Sequence, residues 1–203
     1  MPSVDGQSFI FAPQFNMASE STIFGSSIVP FRLVFLMWVA FSLEMYFNFP
    51  LNEFGIEPRT FHGLIGIVTA PLIHGDILHL ISNTIPMLFL GAVLFFFYKP
   101  IGGQVFSRAY FWTNILVWLF ARPANHIGAS GVVYAIAFFL IFFGFLRRDF
   151  MSIIISLTVL ILYGGVFYGV LPTDPRVSWE SHFAGALVGV GSAVTFSNKK
   201  NVS

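Results

Sequence analysis

Three places in this sequence hold side chains suited to acyl transfer. Ser130 lies in Gly128-Ala129-Ser130-Gly131, His182 follows Ser181, and His79 precedes Asn83 by four residues. A serine hydroxyl is a weak nucleophile until a base takes its proton, and a neutral imidazole does that and later returns the proton to a leaving amine. His79 and Asn83, one helical turn apart, share a helix face and can both donate hydrogen bonds to an oxyanion. Small residues around Ser130 let the backbone turn sharply and let a substrate chain approach Oγ. Backbone N–H groups at a helix start are unpaired and add to an oxyanion site at the positive end of the helix dipole. Each feature also has a plainer reading. Ser130 can be a helix cap, His182 a buried polar residue, and His79 with Asn83 a structural pair. Tyr134, four residues after Ser130 on the same face, is either a plate stacked on His182 or an ordinary core tyrosine.

The elements that position these groups follow from composition. Of 203 residues, 56% are hydrophobic and 9% are charged, against roughly 25% charged in soluble domains. Six apolar runs approach the roughly 20 residues that cross a bilayer: about Phe31–Phe49, Ile77–Tyr98, Val105–Ala121, Ala129–Leu146, Phe150–Leu171 and Trp179–Phe196. The expected fold is an all-α membrane protein, a six-transmembrane-helix bundle. Residues 1–28 read as an N-terminal tail, 29–198 as the membrane domain and 199–203 as a short C-terminal tail. The long connection 51–76 has an apolar middle too short to span, which suggests an interfacial or re-entrant loop. Asp76 is a natural N-cap for the second span. On this layout the second, fourth and sixth spans all start at one face of the membrane. His79 and Asn83, Ser130, and His182 then lie near the same depth.

Charge sets an orientation. With six spans, Arg32, Lys99, Arg108, Arg147, Arg148, Lys199 and Lys200 share the side of the termini, and Arg59, Arg122 and Arg176 lie opposite. Such an excess places both termini in the cytoplasm. Packing has a signature too. Gly185 and Gly189 form a small-xxx-small pair on the sixth span, and Gly131 with Ala135 offers a matching face on the fourth. Their close approach would bring Ser130 to His182.

Other chemistries recede. A net charge of +1 gives no reason to expect nucleic-acid binding, and with no cysteine there is no thiolate nucleophile, disulfide or zinc-thiolate site. His79 and Asn83 lack the acidic partners of a metal site, so neither metal nor cofactor is expected. A transporter needs polar groups through the depth of the bundle, whereas these cluster at one end.

His79-x-x-x-Asn83, Gly128-x-Ser130-Gly131 with Tyr134, and Ser181-His182-x-x-Gly185-x-x-x-Gly189 together resemble the rhomboid family, in order and on the second, fourth and sixth of its spans. The resemblance covers roughly Phe31 to Phe196. It implies an intramembrane serine endopeptidase with a Ser130–His182 dyad, and an oxyanion hole of His79, Asn83 and the Ser130 backbone N–H. It also implies transmembrane protein substrates cut near the extracytoplasmic surface, with the fifth span and the loop 172–178 forming a gate and cap. The expected location is a bacterial inner membrane, as a multi-pass protein. A catalytically silent relative that binds transmembrane helices is the alternative. Several residues fall outside this scheme. Arg59 carries no role because the Trp-Arg pair of many relatives is missing, Pro86 should kink the second span, and Glu44 is an intramembrane carboxyl without a partner. His74 reads as structural, His126 as a rival base, and Glu180 as a favourable charge at a helix start.

Overall fold

A computed structural model of the chain describes residues 23–174 and 177–197. The described residues are all helical apart from turns and one isolated bridge between Ile56 and His126. Six long helices form the body: α1 (Ile23–Phe47), α3 (Ile77–Phe97), α4 (Lys99–Phe120), α5 (Ser130–Arg147), α6 (Phe150–Tyr163) and α8 (Trp179–Ser197). Two single turns, α2 (Gly66–Thr69) and α7 (Val166–Gly169), lie in connections. Gly25–Phe47, Ile77–Phe97 and Ser130–Arg147 are long and apolar enough to cross a membrane. Large apolar side chains face outward along most helices, among them Phe31, Leu78, Phe120 and Ile161. Water does not tolerate such a surface on this scale, and lipid does.

α5 is the axis of the bundle. Nearly every side chain from Gly131 to Ile141 is buried. α8 crosses it backbone to backbone: a Cβ on Gly185 would lie 2.2 Å from the Gly131 carbonyl oxygen, and one on Gly189 2.3 Å from that of Ala135. The small faces expected on the fourth and sixth spans thus meet. α6 crosses α5 closely at the other end, where Gly144 faces Ser152 and Ser156 and the Ser156 hydroxyl donates to the Ile141 carbonyl.

Three boundaries differ from the sequence expectation. α1 starts at Ile23, inside the expected tail, and takes in Gly25-Ser26-Ser27 and Pro30; Pro30 fits against Gly91 of α3. The earlier part of that tail and the C-terminal tail lie outside the described residues. α4 starts at Lys99, six residues before Val105, because Pro100 suits a first helical turn. The fifth run is broken: α6 stops at Tyr163, Gly164 and Gly165 turn the chain, and α7 follows. Paired glycines have low helix propensity, so the break falls there. α3 runs unbroken through Pro86.

The connection 51–76 is a run of single helical turns laid along α4. The Asn114 amide donates to the Ile67 carbonyl at 3.1 Å and the Tyr110 hydroxyl to that of Val68. Asn114 is six residues, or about 9 Å of helix, from the end of α4 at Phe120. The loop therefore dips alongside the helix. Arg59, at φ 62°, caps that helix end, donating to the carbonyl of Ala121 at 2.8 Å. Glu44 does have a partner: it accepts from the Asn52 side chain just past the end of α1.

Candidate active site

Ser130 is the first residue of α5, and the N-cap position belongs to Ala129, with no side-chain capping bond. The cap explanation for Ser130 therefore falls away. The turn before it is held on both sides. Gly128 has φ +105°, a left-handed value that favours glycine, and a Cβ there would lie 2.6 Å from His79 Nε2. The Gly128 N–H donates to the Ala70 carbonyl at 2.9 Å. The Ala129 N–H points at His74 Nε2 at 3.4 Å, while His74 Nδ1 donates to the Leu72 carbonyl at 3.3 Å. That pattern assigns the neutral tautomer with hydrogen on Nδ1. Burial lowers the His74 pKa from 6.5 to about 4, with His79 adding to the effect, so the ring stays neutral. The structural role read for His74 is thus to support the turn that presents the serine.

His182 lies in the first turn of α8 and is buried. Its Nδ1 donates to the Gly169 carbonyl at 2.9 Å, which leaves Nε2 as the basic nitrogen. Tyr134 stacks on the ring with centroids 4.0 Å apart and planes 5° from parallel. The close crossing of α5 and α8 brings the two helix starts side by side: a Cβ on Gly131 would lie 3.0 Å from the Ser181 carbonyl oxygen. The neighbours of Ser130 and His182 are in contact.

His79 and Asn83 come from α3, whose N-cap is Asp76, accepting from the His79 N–H at 2.8 Å. Asn83 is buried and gives one amide hydrogen to the His79 carbonyl at 2.9 Å, so its second remains for a ligand. Among the described residues the Ser130 backbone N–H has no acceptor. A cavity of about 810 Å³ unites the set, lined by His79, Asn83, Ser130, Tyr134 and His182, with Pro86, Tyr163 and Val166 on one side and Asn125, His126, Val177 and Ser178 on another.

Some residues do other work. His126 is not a free base: its Nε2 donates to the Arg122 carbonyl at 3.0 Å and its Nδ1 meets the Ser178 hydroxyl at 2.6 Å. Burial lowers its pKa. Glu180 sits 3.4 Å from Arg122. Among the described residues neither Glu180 oxygen accepts a hydrogen bond, so the contact with Arg122 rests on charge. Sequence reasoning missed Gly169, whose carbonyl fixes the His182 tautomer and whose Cα abuts the Tyr134 hydroxyl, leaving no room for a Cβ. The Gly164-Gly165 pair was the available signal that the fifth run was interrupted nearby. Among the described residues no group of three His, Cys, Asp or Glu side chains is placed to hold a metal.

Comparison with known proteins fits this arrangement. A family model described as the Rhomboid domain matches residues 62–199. The chain belongs to the rhomboid family. Uncharacterized proteins of Mycobacterium bovis and Mycobacterium tuberculosis are each 34% identical to it over 184 residues, 85% of this chain and 75% of theirs. One from Mycobacterium leprae is 34% identical over 180 residues, 80% of this chain and 68% of its own. The rhomboid match takes in α3, α4, α5, α6 and α8, and with them every residue of the cavity named above. A rhomboid chain with this apolar exterior is an integral membrane protein.

Proposed function

We propose that this rhomboid is an intramembrane serine endopeptidase acting through a Ser130–His182 dyad. The observation that carries the proposal is the joint placement of the two residues. They begin two helices locked backbone to backbone and line one cavity, and His182 is held by Gly169 and Tyr134 with Nε2 left as the base. His182 Nε2 takes the Ser130 proton as Oγ attacks the scissile carbonyl. The oxyanion receives hydrogen bonds from His79, Asn83 and the Ser130 backbone N–H. His182 then gives the proton to the leaving amine, and water in the cavity hydrolyses the acyl-enzyme, with the same imidazole as base.

The remainder of the proposal concerns the membrane. α1, α3, α4, α5, α6 and α8 are read as six spans, and Lys99, Arg147 and Arg148 at the end of the bundle away from Ser130, with Lys199 and Lys200 following α8 in sequence, support both termini in the cytoplasm of a bacterial inner membrane. Transmembrane proteins are the substrates, cut close to the outer surface, and the α6–α7 segment with the loop 172–178 forms the gate and cap. Residues 175–176 of that loop lie outside the described residues.

The test uses proteoliposomes holding the full chain and a set of single-span reporter proteins that differ near the outer membrane surface. Wild type is expected to release fragments cut close to that surface, and Ser130→Ala and His182→Ala none. Cleavage by Ser130→Ala at the wild-type rate would overturn the mechanism.

A further inference from the structure

A second concavity lies at the other end of the bundle, between α4 and α8. It has about 300 Å³ and is lined by Arg108, Trp112, Val188, Gly191, Ser192 and Thr195 among others. It is well separated from the serine. α5 and α8 begin at the catalytic end, so α8 finishes away from it, and α4, which leads into the Ser130 turn, begins there. Arg108 is nine residues along α4 from Lys99, about 13 Å of rise. On the six-span reading proposed above, on which this inference rests, its backbone lies within hydrocarbon depth, where an unpaired cation is costly.

What Arg108 touches is incomplete. Its guanidinium stands 4.8 Å from the centroid of the Phe196 ring, near the end of α8. A ring contact of this kind supplies no oxygen to accept from the guanidinium N–H donors. Among the described residues no carboxylate pairs with it and no oxygen accepts from it. The groove beside it is open: a Cβ on Gly191 would meet nothing within 4 Å. Of its lining, Trp112 is more than half exposed, at 56%, and Gly191 and Thr195 are exposed as well, so the groove faces lipid and not the bundle interior. In sequence, Phe196 is followed closely by Lys199 and Lys200.

We infer that this groove binds an anionic phospholipid from the leaflet on that side. The phosphate takes the in-plane donors of Arg108, which reaches along α4 toward the headgroup region. One acyl chain lies in the slot that Gly191 leaves open, against Trp112 and Val188. A zwitterionic lipid offers the same phosphate but cancels its charge, so the site discriminates by net headgroup charge.

The experiment is native mass spectrometry of the full-length, detergent-purified protein with equimolar phosphatidylglycerol and phosphatidylcholine, beside melting temperature in each lipid. Wild type is expected to retain phosphatidylglycerol at least fivefold over phosphatidylcholine and to melt higher with it. Arg108→Gln should bring retention to parity, and Arg108→Lys should keep most of the preference. Gly191→Leu fills the slot without touching the charge and should lower retention of both lipids. Arg148→Gln, at the exposed end of α5, should change nothing. Equal retention of the two lipids by wild type, an Arg108→Gln protein with an undiminished preference, or an equal rise in melting temperature with inorganic phosphate alone would each overturn the inference.

Discussion

The two flanks of α5 are built differently. On one side α8 lies so close that backbone meets backbone, at Gly185 against Gly131 and Gly189 against Ala135. On the other, α6 is close only at the end distant from Ser130, through Gly144, Ser152 and Ser156. Toward the catalytic end it gives way to the Gly164-Gly165 turn. There the link from α6 to α3 includes a ring contact between Phe89 and Tyr163, with centroids 5.8 Å apart. The side that must hold Ser130 and His182 in register has no slack, because a carbonyl oxygen cannot rotate away from an intruding methyl group. The side that lines the cavity is joined by side chains that can repack. Under the proposed function, rigidity falls where the two catalytic groups meet, and compliance where a substrate segment enters.

Breaking the tight seam should have the largest effect. Gly185→Val forces a side chain into the Gly131 carbonyl, and overpacking commonly costs about 1–3 kcal/mol and more where backbone must move. The expected result is a fall in melting temperature with loss of reporter cleavage, while Gly103→Leu on α4, where a Cβ would meet nothing within 4 Å, stays folded and active. Equal tolerance at both positions would show that the seam is not tight. On the cavity side, Asn83→Ala should lower kcat roughly tenfold to a thousandfold if the amide is an oxyanion donor, with little change in melting temperature. An unchanged kcat would remove Asn83 from that role.

His74 has a folded-state pKa of about 4, below its ordinary 6.5. A depressed value means the fold prefers the neutral ring. Its contribution is complete above pH 6.5 and is lost as pH falls from there toward 4, to a total of roughly 3 kcal/mol. Melting temperature should therefore decline across that window, and His74→Asn should flatten the decline while lowering stability at pH 7.5. A variant with the wild-type slope would contradict the assignment. The smallest effect is expected at the compliant side. Phe89→Ala should leave the protein folded and raise cleavage a few-fold by easing entry between α3 and α6; reduced cleavage would mean that the contact shapes the site and does not gate it.

The sequence disclosed the parts of this design that are local. A histidine and an asparagine one turn apart, a serine among glycines, and small residues four apart carry their meaning within a single helix, and all were legible. So was the match between the small faces of α5 and α8. Relations between segments were not. That His74 supports the Ala129 N–H depends on how the re-entrant connection lies against the turn before α5. That Gly169 fixes the His182 tautomer depends on α7, which the hydropathy of the fifth run concealed. Glu44 lacked a partner only until the chain past α1 turned back to offer Asn52. Hydropathy also misplaced the start of α1, since Gly25-Ser26-Ser27 look like a tail and are helical.

The central claim is that Ser130 is activated by His182. Its most direct measurement is reaction of the detergent-solubilised protein with a fluorophosphonate, with the adduct mapped by mass spectrometry. The account predicts a single adduct on Ser130 in wild type and none in His182→Ala at the same protein concentration and fold. An adduct on Ser130 that forms equally fast without His182, or no adduct in folded wild type, would contradict it.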